Sequence, residues 1–470
     1  MYDIRGKTDA QLTPVFAFYL GRAFACHIAS KGGVAPNELT LCVGRDCRLS
    51  SPELEEALAS GMAHEGVNVI RVGLLPTPAL YFSVKRYKAD GGIMVTGSHN
   101  PKNDNGFKCM DAHLALHGPA ILDLCDRMEA MKKQDGDAPI VVPSAPTCFR
   151  DVSGDYVDRI LSVASYPRTL AESRVKAAWD PGNGAAGDML HQLISRLPGE
   201  HILINAAPDG NFPAHHPDPS DPQNMLQLQE AVRAEGCDVG FAFDGDGDRL
   251  GVVDGRGEPL SSDALGFTFA RDCVEKFPEA LCVFDVKTSG QTFSAIERVG
   301  GRTLMGKTGH SLMKEKMKLS GAIFGAEASG HLFFAEHDGF DDAIFAAVRF
   351  LDVMHRRGES AEMLGASLPR GSRTPEWRLD VGEKEKWRLL DGLKNALRLR
   401  SEAFNDLDGI RVDDEEGWWV ARASNTQPAV VVMAEGRDEA ALRRRVEYID
   451  ALCREAGFSF PLFKTGAISA

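Results

Sequence analysis

The sequence predicts an α/β protein, with three similar mixed α/β units followed by a smaller C-terminal α+β unit. Three observations predict it. The length of 470 residues, at roughly 150 residues per domain, gives about three domains with two to four tolerated. Short apolar runs alternate with amphipathic stretches in three successive blocks, the β-α-β-α-β rhythm of largely parallel sheets. After about Thr374 the rhythm changes to strands interleaved with two charged helices. The units are expected at 1–148, 149–255, 256–368 and 369–470.

In the first block, LTLCVG, VNVIRVG and GGIMVT read as strands, with helices over PELEEALASGMAHEG and after Pro78. In the second, the same rhythm returns in VKAAWDPGNGAAGDMLHQLISRL, ILINAAPDG and the helical stretch NMLQLQEAVRAEG before CDVGFAFDGDGDRLGVVDG. In the third, LCVFDVKTS, a helix after Gly290 and TLMGKTGH precede GAIFGAEASGH. The last unit reads as strand EWRLDV, helix KEKWRLLDGLKNALRL, strands IRVDDEEGWWVARAS and AVVVMAEG, and helix EAALRRRVEYIDALCREAG. Apolar residues recur in these helices at three- and four-residue steps among charges, so they pack on a sheet. The blocks share a rhythm and no motif, which makes the architecture repeated and the sites distinct.

Composition narrows function. Apolar residues make up 43% and charged residues 26%, a balance that buries several cores without a metal or disulfide staple. The net charge of −14 opposes nucleic acid over most of the surface, so an anionic ligand needs a local cationic pocket. Ten cysteines are scattered without a CxxC pair, which fits reduced thiols in a cytoplasm. No run approaches about 18 apolar residues, and Asp3, Arg5, Lys7 and Asp9 occupy the start, so no membrane span or signal peptide is expected.

Four segments carry chemistry, each at the end of an apolar run. Asp244-Gly245-Asp246-Gly247-Asp248-Arg249 compresses three carboxylates, with glycines that let their oxygens converge on a hard cation such as Mg²⁺. An EF-hand is excluded, because its sixth and twelfth positions would hold Arg249 and Gly255. Thr96-Gly97-Ser98-His99-Asn100-Pro101 offers an exposed serine as a nucleophile. Nearby Asn105-Gly106-Phe107-Lys108 contributes a lysine, whose ordinary place is the solvated surface. Gly325-Ala326-Glu327-Ala328-Ser329-Gly330-His331 sets a carboxylate, a hydroxyl and an imidazole where a polyhydroxylated ligand can be read. Arg422-Ala423-Ser424-Asn425-Thr426-Gln427-Pro428 combines an arginine fork with hydroxyls and turn N–H groups, an anion cradle. Smaller signals are Tyr2-Asp3-Ile4-Arg5-Gly6, Lys287-Thr288 and Gly309-His310.

Taken in order, YDIRG, TGSHNP with NGFK, DGDGDR, GAEASGH and RASNTQP resemble the loops of the α-D-phosphohexomutases, most closely the bacterial phosphomannomutase/phosphoglucomutase branch. That resemblance implies four domains, each lending one loop to a central cleft. It implies that Ser98 is phosphorylated and that Asp244, Asp246 and Asp248 hold one Mg²⁺ against the phosphate with Arg249 close by. Glu327 and Ser329 would read sugar hydroxyls. Arg422, Ser424, Asn425 and Thr426, helped by Lys287 and His310, would grip the non-reacting phosphate. Arg5, His99, Lys108 and His331 would move protons and stabilise charge, and Tyr2 would line the substrate site. The implied reaction interconverts hexose 1-phosphate and hexose 6-phosphate of mannose or glucose, with a hexose 1,6-bisphosphate as intermediate and activator. The implied protein is a cytoplasmic monomer with phosphosugars as partners, and neither nucleic acid nor membrane among them. A phosphoglucosamine mutase, a phosphoserine-type sugar phosphatase and a non-catalytic sugar-phosphate sensor are the alternatives.

Overall fold

The computed structural model describes residues 3–136, 147–163, 175–368, 371–424 and 428–458. Four sheets follow one another along the chain. The first has six strands in the spatial order Ile4–Lys7, Asp104–Asp111, Gly91–Val95, Thr40–Arg45, Asn68–Leu74 and Cys148–Phe149. Its centre is parallel, while Asp104–Asp111 runs antiparallel to both of its neighbours. The short strand Cys148–Phe149 pairs with Asn68–Leu74 across the division expected at 148/149.

The second sheet orders Leu250–Asp254, Val239–Phe243, Lys176–Asp180 and Glu200–Leu203; the third orders Arg302–Gly306, Leu281–Asp285, Phe324–Ala326 and Leu332–Phe334. Each keeps a parallel centre and adds one antiparallel edge strand. The fourth sheet is antiparallel throughout and includes Ala429–Gly436, Gly417–Ala423 and Ile410–Asp414. The strand rhythm of the sequence finds the parallel centres. It misses the antiparallel edges, including Asp104–Asp111, because NGFK reads as a loop when its partner strand is not in view.

Those edges position the site. In each of the first three domains one motif loop joins a strand to its antiparallel neighbour: residues 96–103, 244–249 and 327–331. A tight connection of this kind needs no crossover helix, so it leaves the carboxyl end of the preceding strand open to a ligand.

Packing divides the molecule unequally. One continuous apolar core runs through the first three domains, joining Ile70 and Met94 to Trp179 and Phe241 and on to Phe284 and Phe350. The C-terminal domain has a core of its own, with Leu389, Leu393, Trp419, Val432, Val446 and Ile449. It meets the third domain through a small cluster of Val286, Trp418, Val420 and Met433. Among the described residues no helix is long and apolar enough to cross a membrane.

Candidate active site

Ser98 sits in the left-handed region at φ +48° and is 1% exposed. Such a conformation costs a non-glycine residue about 1–3 kcal/mol, so the surroundings must hold it. Its N–H donates to Thr96 Oγ1 at 2.8 Å. Its hydroxyl donates to Asp244 Oδ2 at 2.8 Å, and His99 Nδ1 lies 3.2 Å from Ser98 Oγ. The approach of the two loops requires glycine: a Cβ on Gly245 would stand 2.4 Å from the Ser98 carbonyl oxygen.

Asp244, Asp246 and Asp248 are fully buried, and each offers an oxygen within 4.8 Å of the others. Asp244 Oδ1 accepts from the N–H groups of Asp248 at 3.0 Å and Arg249 at 3.2 Å. Lys108, which its local sequence alone would leave at the solvated surface and the resemblance assigns to the site, is 2% exposed. Its ammonium bonds Asp246 at 2.7 Å and also Asp248. The pairing explains its burial, since an unpaired ammonium there would be costly. Burial opposes ionisation throughout the triplet. Lys108 and His331 nonetheless hold Asp248 well below the usual carboxylate range. Asp244, facing Asp248 and Asp246, is pushed well above it. Asp246 Oδ1 is buried without a hydrogen-bond partner. An all-oxygen donor set with an orphaned carboxylate oxygen fits a hard divalent cation.

The third loop closes on the second, since Leu250 N–H donates to Gly330 O at 3.1 Å. His331 Nε2 lies 3.3 Å from Asp248 Oδ1, and its Nδ1 lies 3.1 Å from Glu327 Oε2. Burial would lower this imidazole, but Asp248 and Glu327 push it up to about 9. Ser329 Oγ is 2.8 Å from His331 Nδ1. Glu327 also accepts from the Gly309 N–H.

His310 stacks on His331 with ring centroids 5.9 Å apart. The resemblance groups it with Lys287 on a phosphate; the structure pairs it with Asp3 at 3.0 Å and sets it 3.5 Å from Asp341. Arg5 bonds Asp3 at 3.0 Å and the Gly97 carbonyl at 2.5 Å.

Across the cleft, Arg422 Nε donates to Asp408 at 2.9 Å, and Ser424 N–H to Ala429 O at 2.8 Å. Lys287 reaches Glu376 at 3.0 Å, and Arg378 meets the other oxygen of that carboxylate at 3.0 Å. Burial would raise Glu376, yet Lys287, Arg378 and Arg422 hold it below its usual value. Arg373 bonds Asp263 at 2.6 Å and the Lys287 carbonyl at 2.5 Å. Tyr2, Asn425 and Thr426 lie outside the described residues.

A cavity of about 470 Å³ brings together Arg5, Ser98, His99, Lys108, Arg249, Lys287, His310, Glu327, Ser329, His331, Arg422 and Ser424. The aspartate triplet lies behind Ser98. Sequence reasoning missed Asp218, Thr308, Arg373 and Glu376, which also line the cavity. Asp218 lies inside a Pro-rich stretch, HHPDPSDP, that could have flagged a shaped loop. Arg373 and Glu376 sit in the segment entering the last domain and carry no motif signal.

The comparisons with known proteins agree along the chain. Four stretches match the models of phosphoglucomutase/phosphomannomutase: α/β/α domain I over 1–135, domain II over 154–257, domain III over 261–370 and the C-terminal domain over 376–452. The chain belongs to the α-D-phosphohexomutase family. Within this family it falls in the bacterial phosphomannomutase/phosphoglucomutase branch. A phosphomannomutase/phosphoglucomutase of Pseudomonas putida is 40% identical over 445 residues, covering 94% of this chain and 92% of the relative. A phosphoglucomutase of Neisseria gonorrhoeae is 37% identical over 448 residues, with 94% of each covered. The crystal structure of a phosphoglucomutase/phosphomannomutase family protein from Burkholderia thailandensis matches with a TM-score of 0.85 at 35% identity, covering 99% of this chain and 97% of that one. With membership of the α-D-phosphohexomutases comes the reaction class, a phosphoryl-transferring mutase of carbohydrate metabolism.

Proposed function

We propose that this protein interconverts hexose 1-phosphate and hexose 6-phosphate, of glucose and mannose, through a phosphorylated Ser98 and a hexose 1,6-bisphosphate. The observation that carries the reading is the two-ended cleft. A strained, buried serine 2.8 Å from Asp244 stands at one end, and Lys287, Arg422 and Ser424 stand at the other. A phosphatase needs one phosphate end; a mutase needs two.

In the first half-reaction the hexose O6 attacks phosphorus, the bond from phosphorus to Ser98 Oγ breaks, and the hydroxyl proton passes to a group in the cleft. The phosphoryl group on O1 meanwhile rests against Arg422 and Ser424. The bisphosphate then turns over, and Ser98 Oγ takes the phosphoryl group from O1. The cationic end must therefore accept either phosphate. Asp244, Asp246 and Asp248 would hold one Mg²⁺, which supplies charge neutralisation to a transferring phosphoryl group. Lys108, Arg5 and Arg249 add fixed positive charge beside the same loop. His99, with Nδ1 3.2 Å from Ser98 Oγ, and His331, on the cavity wall, are the candidates for proton transfer. Glu327 and Ser329 read sugar hydroxyls, with Tyr2, His310, Asn425 and Thr426 completing the substrate site.

We take the unit divisions at 148/149, 255/256 and 368/369, and the protein as a cytoplasmic monomer. The test is conversion of α-D-glucose 1-phosphate to glucose 6-phosphate with Mg²⁺, with and without added glucose 1,6-bisphosphate. Turnover stimulated by the bisphosphate supports the phosphoserine cycle. Release of inorganic phosphate at a comparable rate favours the phosphatase, and turnover confined to glucosamine phosphates favours the phosphoglucosamine mutase.

A further inference from the structure

We infer that Arg48, held by Asp46, is a positioning residue that sets the strained Ser98 loop for phosphoryl transfer. The inference rests on the reading of Ser98 as the phosphate carrier. Arg48 follows the strand Thr40–Arg45, beside the strand that delivers Ser98, and is fully buried. A guanidinium has five N–H bonds, and the structure gives Arg48 five side-chain acceptors. Its Nη2 donates to the Ser98 carbonyl at 2.7 Å and the Asn100 carbonyl at 2.6 Å. Its Nη1 donates to the carbonyls of Pro101 at 2.6 Å and Asp104 at 2.8 Å, and its Nε to Asp46 at 3.2 Å. One side chain thus ties the loop from its serine to the start of the next strand.

Asp46 completes the unit from the other side. Its carboxylate accepts from the Gly97 N–H at 3.1 Å, the Arg48 N–H at 3.0 Å and the Ser51 hydroxyl at 2.5 Å. The residue before Ser98 is therefore fixed by Asp46 and its own carbonyl by Arg48. Arg48 thus holds the peptide after the left-handed serine and Asp46 the peptide before Gly97, while Thr96 Oγ1 takes the Ser98 N–H between them, and a strained conformation persists only when its surroundings fix it in this way. Gly97 makes room for this: a Cβ there would come within 2.4 Å of the guanidinium.

The second domain covers the assembly. The Phe212 ring lies 5.3 Å from the guanidinium carbon. A Cβ on Gly210 would meet the Arg48 Cα at 2.8 Å. Arg48 thus sets the serine loop in register with the domain that carries the aspartate triplet, without touching substrate. Lysine cannot replace it, having three donors on one nitrogen where the loop takes four and Asp46 a fifth from a planar fork.

The test compares wild type, Arg48→Lys, Phe212→Leu and Ser98→Ala by steady-state kinetics, thermal melting and hydrogen exchange of peptides. In Arg48→Lys, kcat should fall about 100-fold, the cost of misplacing a reacting group by about an ångström. KM should stay within about 3-fold, because the groups proposed to bind substrate are untouched. Exchange should quicken in peptides covering 96–104, while the strands Thr40–Arg45 and Gly91–Val95 stay protected. Phe212→Leu keeps every hydrogen bond and should give a smaller loss of the same kind. An Arg48→Lys protein with unchanged kcat overturns the inference. So does a loss of kcat in either variant that comes only with faster exchange across the whole domain and a matching fall in melting temperature. If Ser98→Ala retains full turnover, the phosphoserine reading fails by that result alone.

Discussion

The two ends of the cleft are built on opposite plans. At the Ser98 end the reacting oxygen, three carboxylates and Lys108 are buried, locked by hydrogen bonds between the first two domains, and backed by a core that runs through three domains. At the Arg422 end the cations are engaged by carboxylates that a phosphate can replace, with Lys287 on Glu376 and Arg422 on Asp408. That end belongs partly to a domain with a separate core. The difference matches the work proposed for each end. Phosphoryl transfer gains from groups fixed before the reaction, whereas a cradle that accepts either phosphate of a turning bisphosphate must release and rebind.

Replacing Ser98 by Ala breaks the comparison at its rigid end, and turnover is expected to fall by roughly 10⁴-fold or more, with substrate still bound. Isothermal titration with glucose 1-phosphate alongside the coupled assay separates these effects. Next in size is metal removal. Chelation should abolish turnover and Mg²⁺ restore it, and Mg²⁺ at about 100 times its dissociation constant should stabilise the fold by about 2.7 kcal/mol. Melting curves of Asp246→Asn should lose that Mg²⁺-dependent shift.

At the exchangeable end the effects should be smaller and appear in KM. Arg422→Lys removes a planar fork and keeps the charge, so KM for glucose 1-phosphate should rise about 10-fold with kcat changed much less. Glu376→Gln has the smallest expected effect. It frees Lys287 from a competing charge while leaving a neutral hydrogen-bond partner, and KM should fall about 2- to 3-fold, the size of one modest net hydrogen bond. An unchanged KM with a lower melting temperature would make Glu376 a structural partner of Lys287 only.

The same division marks what was legible in the sequence. DGDGDR and TGSHNP are readable because the carboxylates and the hydroxyl that we propose hold the metal and the phosphoryl group are compressed into a few residues. Glu327, Ser329 and His331 are readable for the same reason. By its local sequence Lys108 is an ordinary surface lysine, and only the resemblance points it to the site, because its partners, Asp246 and Asp248, stand 138 and 140 residues away. His310 lines the cleft together with Lys287, while its contact with Asp3, 307 residues distant, has no local signal. The antiparallel edges were missed for a related reason, as each strand is identified by a neighbour and not by its own residues. Glu376, at the head of the expected strand EWRLDV, carries no local sign that it faces the cleft.

The most direct measurement is a phosphoryl chase. The protein is loaded on Ser98 with labelled phosphate, freed of excess bisphosphate, and mixed with unlabelled glucose 1-phosphate and Mg²⁺ in a rapid-quench instrument. Label should leave Ser98 at least as fast as steady-state turnover and appear in glucose 1,6-bisphosphate and then in glucose 6-phosphate. Label that stays on the protein while product forms, or that leaves as inorganic phosphate, contradicts a transfer through Ser98.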